Sequence, residues 1–151
     1  MLYPLSYGGK APSLTTRLWR TGRGTSARML RHMPRVLLVD DDPAILRLLE
    51  VNFRIEGFDV DAAAHGEEAI AAATAARPDV AILDLMLPGM DGRQILERLR
   101  ATPATADLPV VFLSARGKDD MPLEGTNVLY VQKPFDTVDL IATVRTLVEG
   151  V

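Results

Sequence analysis

The segment VLLVDDDPAI, residues 36–45, decides the fold. Its four leading apolar residues show no alternation, as in a central parallel strand buried on both faces. Three aspartates follow at once. Asp42 can cap a helix and Pro43 suits its first turn, while Ile45, Leu48, Leu49 and Phe53 recur at helical spacing and predict one apolar face. Gly57 ends that run. The unit is therefore strand, acidic turn, helix.

The same alternation continues outward. Residues 58–63 read as a second strand, 67–76 as an alanine-rich helix stopping before Pro78, and 80–83 as a third strand. Beyond Pro88, Gly89 and Gly92, the spacing of Ile95, Leu96 and Leu99 predicts a third helix, and residues 108–113 a fourth strand. Residues 128–131 are a short fifth strand. Asp136 is placed to cap a last helix, with Asp139 as in a capping box and Leu140, Val144, Leu147 and Val148 facing inward. Parallel neighbours need crossover connections, and helices supply them, so the pattern predicts an α/β, doubly wound, five-stranded parallel sheet.

Composition agrees with one such domain. The chain has 151 residues, 48% apolar and 25% charged, which argues against disorder, collagen and coiled coil as the dominant state. No apolar run approaches the ~20 residues of a membrane span. There is no cysteine, so disulfides, thiolate metal sites and cysteine nucleophiles are excluded together. The net charge of -3 conceals two unlike parts: residues 1–33 hold six Lys or Arg and no acid, leaving eleven basic and twenty acidic residues, or -9, in the remainder. Residues 1–33 have no sustained period and are read as a disordered basic extension, with Met29 and Met33 as alternative starts. Residues 34–151 are read as the folded domain.

Ligands of doubly wound sheets bind at the carboxyl ends of the strands. There the sequence places Asp40, Asp41 and Asp42 after the first strand, Asp84 after the third, Ser114 after the fourth and Lys133 after the fifth. Asp42 is explained as a helix cap. If the sheet forms as read, Asp40, Asp41 and Asp84 share one crevice, and a hard divalent cation such as Mg²⁺ relieves their repulsion. Each residue alone has an ordinary reading as a turn or solvated group; their joint order carries the inference.

The strings VLLVDDDPAI, AILDLMLPGMDG, VVFLSA and YVQKPF resemble, in order and placement, the signature segments of the receiver domain of two-component response regulators. The resemblance implies a flavodoxin-like strand order 2-1-3-4-5. It implies Asp84 as phosphoacceptor, Asp41 as a direct Mg²⁺ ligand, Asp40 as an acidic partner acting largely through water, and the Met86 carbonyl as a further ligand. Ser114 and Lys133 bind phosphoryl oxygens on this view, Tyr130 is a switch aromatic coupled to Ser114, and Lys133–Pro134 is a cis peptide bond. Met86 and Arg116 match positions that tune hydrolysis of the phosphate. The implied partners are a sensor histidine kinase or a histidine phosphotransfer protein, with an unidentified output protein, in the cytoplasm.

Two departures qualify that picture. Between Gly117 and Gly125 stands only KDDMPLE, so the fourth of five helices is expected to be short or distorted around Pro122, which puts dimerisation by that surface in doubt and leaves a monomer or weak dimer. The chain ends soon after the last helix, which leads to the expectation of a stand-alone receiver with no nucleic-acid-binding domain. Competing readings are a haloacid dehalogenase-like phosphohydrolase, which expects an aspartate where Met86 stands, and a receiver-like interaction domain that is not phosphorylated. A nucleotide or flavin module lacks the necessary Gly-rich loop after the first strand.

Overall fold

The computed structural model describes residues 33–116 and 127–149. Five strands, β1 (Arg35–Val39), β2 (Asp59–Ala63), β3 (Val80–Asp84), β4 (Val110–Ser114) and β5 (Val128–Gln132), form one sheet in the order β2-β1-β3-β4-β5. Every pairing is parallel. The order 2-1-3-4-5 is the predicted one.

Helices α1 (Pro43–Ile55), α2 (Gly66–Ala76), α3 (Gly92–Ala101) and α4 (Thr137–Glu149) complete the described elements, with a short 3₁₀ turn at Pro103–Thr105. Successive strand side chains point to opposite faces. Leu37, Val39, Leu83 and Phe112 accordingly enter a core with Ala69, Ile70 and Ala73 of α2 and Ile95, Leu96 and Leu99 of α3. Val36, Leu38, Ile82 and Leu113 enter a second core with Leu49 and Phe53 of α1 and Leu140, Ile141 and Val144 of α4. Continuous apolar strands are required because both faces of the sheet are covered.

Helix boundaries follow their local chemistry. Asp42 Oδ1 accepts the Ala44 N–H at 2.9 Å, which makes Asp42 the α1 cap and not a crevice ligand. Gly57 takes φ +92°, a left-handed conformation that costs glycine little, and turns the chain toward β2. At α3, Asp91 and Gln94 form a reciprocal capping box. Asp136 Oδ1 accepts the N–H groups of both Val138 and Asp139 at the start of α4.

One packing expectation is corrected. Leu48 was predicted on the inner face of α1 but is 48% exposed, while Leu46 packs against the core. The buried stripe is centred on Leu49 and Phe53, and Leu48 stands about 100° around the helix from Leu49. The predicted fourth helix falls at 117–125, outside the described residues, as does nearly all of the basic extension.

Candidate functional site

All five strands run in one direction, so the groups that follow them gather at one edge of the sheet. β1 lies between β2 and β3, which puts the Asp40–Asp41 turn beside Asp84, the last residue of β3. One carboxylate oxygen from each of Asp40, Asp41 and Asp84 lies within 4.8 Å of the others. β4 and β5 then place Ser114 opposite Gln132, immediately before Lys133. The Lys133 ammonium reaches across to Asp40 Oδ2 and Asp84 Oδ2, at 3.5 Å from each.

The three carboxylates are not equivalent. Asp41 is exposed, whereas Asp40 and Asp84 are only 1% and 8% exposed. Asp40 Oδ1 accepts the Asp42 N–H at 2.9 Å. Its Oδ2 is buried and accepts no hydrogen bond among the described residues. Burial pushes the Asp40 carboxyl above the ordinary carboxylate range; the Asp42 N–H opposes this, the charge of Asp84 adds to it, Lys133 opposes and Asp41 adds. At ~4 Å, two like charges repel by roughly 1 kcal/mol in water and ~4 kcal/mol at an effective dielectric of 20. One ammonium at 3.5 Å does not balance three carboxylates. An orphaned oxygen in an all-oxygen donor set fits a hard divalent cation.

The remaining predicted residues lie around this crevice. Asp84 Oδ1 accepts the Met86 N–H at 3.2 Å, so the phosphoacceptor candidate presents Oδ2 toward Lys133. The Met86 side chain is 71% exposed. Ser114 is buried, its Oγ accepts the Arg116 N–H at 3.1 Å, and its carbonyl accepts the Lys133 N–H at 2.7 Å. The Gln132 amide donates to the Ala115 carbonyl at 3.3 Å, a second tie between the loops after β4 and β5. The Lys133–Pro134 peptide bond is cis. Tyr130 is half-buried one pleat below the crevice and stacks on Phe112, with ring centroids 5.5 Å apart. Asp40, Asp41, Asp84 and Lys133 are thus brought together, with Ser114 at the neighbouring strand end. Phe112 was not singled out in the sequence, where it reads as one more core residue of β4.

The cluster sets three carboxylates beside an ammonium, with a hydroxyl at the neighbouring strand end. The sequence profile of the response regulator receiver domain matches residues 36–145. The DNA-binding dual master transcriptional regulator RpaA of Synechocystis is 42% identical over 118 residues, covering 76% of this chain and 49% of that protein. The chain therefore spans about half the length of this curated relative. Chemotaxis response regulator CheY4 of Vibrio cholerae superimposes with a TM-score of 0.71 at 28% identity, covering 77% of this chain and 99% of that one. The receiver domain of sensor histidine kinase PA1611 from Pseudomonas aeruginosa, solved with magnesium in its active-site cleft, gives 0.71 at 27% identity, covering 78% and 99%. The profile match, the strand order and the acidic crevice agree, and the chain belongs to the response regulator receiver domain family.

Proposed function

We propose that residues 34–151 form a phosphorylation-dependent signalling switch in which Asp84 accepts a phosphoryl group from a phosphohistidine of a sensor kinase or phosphotransfer protein. The observation that carries this reading is the joint placement of Asp40, Asp41 and Asp84 within 4.8 Å with Lys133 over two of them. Asp84 Oδ2 attacks phosphorus as the bond to the donor nitrogen breaks, leaving an acyl phosphate on Asp84 and an imidazole that takes up a proton. Met86 N–H holds the other Asp84 oxygen, so the attacking oxygen is fixed in direction.

Asp40, Asp41, Asp84 and the Met86 carbonyl would hold Mg²⁺, which when bound neutralises charge on the phosphoryl oxygens. Lys133 pairs with one phosphoryl oxygen, exchanging its long contacts to Asp40 and Asp84 for a charge-assisted bond. Ser114 donates its hydroxyl to another while its Oγ keeps the Arg116 N–H. Tyr130 reports that movement on the β4–β5 side. Met86 offers no hydrogen bond from its side chain to a hydrolytic water and so does not speed phosphate loss, and Arg116 stands beside the same approach. The module acts in the cytoplasm through protein partners. Among the described residues no helix is long and apolar enough to cross a membrane.

Phosphorylation with acetyl phosphate tests the assignment, with and without Mg²⁺, on wild type and Asp84→Asn. The expected product needs Mg²⁺, is labile to acid and is absent in the variant. An acid-stable product, or one that survives the substitution, would overturn it. An aspartate two residues after the nucleophile, expected of the dehalogenase-like phosphohydrolases, is replaced by Met86.

A further inference from the structure

Phe112 occupies a junction that the phosphorylation chemistry leaves unused. It sits on β4 two residues before Ser114, so both side chains point to the same face of the sheet. In register it stands directly opposite Tyr130 on β5. The two rings are 29° from parallel at 5.5 Å, an offset stack. Phe112 itself is fully buried, whereas Tyr130 keeps part of its surface in solvent.

One edge of the Phe112 ring lies over Gly92. A Cβ placed on Gly92, at the start of α3, would lie 2.7 Å from Phe112 Cε1, 2.9 Å from Leu85 Cδ1 and 3.2 Å from Leu85 Cα. Gly92 N–H donates to the Leu85 carbonyl at 2.9 Å, which fixes that approach. Leu85 follows Asp84 directly. A continuous packed path therefore leads from Asp84 through Leu85, which meets Phe112 over Gly92, to Phe112 and then to Tyr130, separate from the Ser114 hydroxyl.

We propose that Phe112 is a positioning residue for the switch: seated against Gly92 and stacked on Tyr130, it sets the resting position of the Tyr130 ring and carries displacement at Asp84–Leu85 to it. This rests on the reading of Tyr130 as the switch aromatic. Aromatic contacts of this class bias a two-state equilibrium by about two- to tenfold, enough to change how far phosphorylation moves the ring without altering phosphorylation itself.

The test uses the full chain labelled with 3-fluorotyrosine, observed by ¹⁹F NMR at rest and with beryllofluoride and Mg²⁺. Tyr130→Phe assigns the Tyr130 resonance against those of Tyr3 and Tyr7. Phe112→Leu is expected to move the resting resonance toward that of an exposed tyrosine and to reduce its beryllofluoride-induced shift about twofold or more. Acyl-phosphate yield from acetyl phosphate should stay within about twofold of wild type. Gly92→Ala leaves Phe112 intact but crowds its ring, and should displace the same resonance; it also decides the matter if Phe112→Leu does not fold. A wild-type response that either folded variant reproduces unchanged overturns the role of Phe112 alone. A wild-type chain that forms the acyl phosphate yet shows no Tyr130 response overturns the switch reading, and this proposal with it.

Discussion

Arg35 and Lys133 each face two carboxylates, and the two clusters resolve the charge differently. On strands β1 and β2, Arg35 meets Asp61 at 2.9 Å and Asp59 at 3.5 Å, with all three side chains roughly one-third or more exposed. At the crevice, Lys133 meets Asp40 and Asp84 at 3.5 Å each, with both carboxylates nearly buried. The first group closes on a short hydrogen bond, and the guanidinium is held more firmly protonated by its bond to Asp61 even against its own partial burial. The second leaves Asp40 Oδ2 without a hydrogen bond among the described residues and adds a third carboxylate. A structural ion pair satisfies its charges; a binding site holds charges that only a ligand satisfies.

The two clusters separate most clearly when each cation is removed in turn. Lys133→Ala should slow phosphorylation by acetyl phosphate by roughly 10²-fold, the scale of losing one electrostatic donor to a developing charge. Initial rates by phosphate-affinity electrophoresis measure it, and a rate within a few-fold of wild type would reject the role given to Lys133. Next in size is the effect of the cation site on stability. Mg²⁺ at ~100 times its dissociation constant should stabilise the wild-type fold by about 2.7 kcal/mol in urea titrations, and EDTA should reverse it. Asp40→Asn keeps an Oδ1 to accept the Asp42 N–H but removes a buried charge. It should therefore raise metal-free stability by about 1 kcal/mol while largely erasing the Mg²⁺ increment. A metal-free destabilisation of similar size would show that Asp40 is fully paired after all.

Arg35→Ala should cost less than ~1 kcal/mol, because its partners remain solvated, and should leave phosphorylation unchanged. If its loss matched that of Lys133 in rate, the two clusters would not differ in kind.

That contrast was half legible in the sequence. The position of Asp40, Asp41, Asp84, Ser114 and Lys133 relative to apolar runs is enough to bring them together, because a parallel sheet gathers all its strand ends on one side. That Asp40 is buried and Asp41 exposed is not legible from the residues themselves, since adjacent aspartates in a turn differ only by which way the turned backbone aims them; the family resemblance alone set them apart. Leu48 reads as inward-facing in the sequence because apolar residues on both sides of a helical stripe look alike until the partner surface is known. The Phe112–Tyr130 stack depends on the register between β4 and β5, which two separate apolar runs do not specify. By contrast, the D-x-x-Q signal for the α3 cap at Asp91 and Gln94 stands in the sequence, and so did the Asp136 cap.

The smallest expected effect lies on the surface between α2 and α3, where Arg98 donates to Glu67 at 2.8 Å with both side chains well exposed. The hydrogen bond from Arg98, with its charge, holds the Glu67 carboxyl below its ordinary value. A depressed folded-state value means that the pair's stabilisation is present above the unfolded glutamate's titration and is lost as pH falls through the folded one. The pair is solvated and screened, so Glu67→Gln should lower the thermal midpoint at neutral pH and low salt by less than Arg35→Ala does. The difference from wild type should shrink at molar salt and vanish once the carboxyl is protonated in both states. A difference that persisted through acid would mean that Glu67 contributes by packing and not by charge, and the α2–α3 contact would then have to be grouped with the cores beneath it.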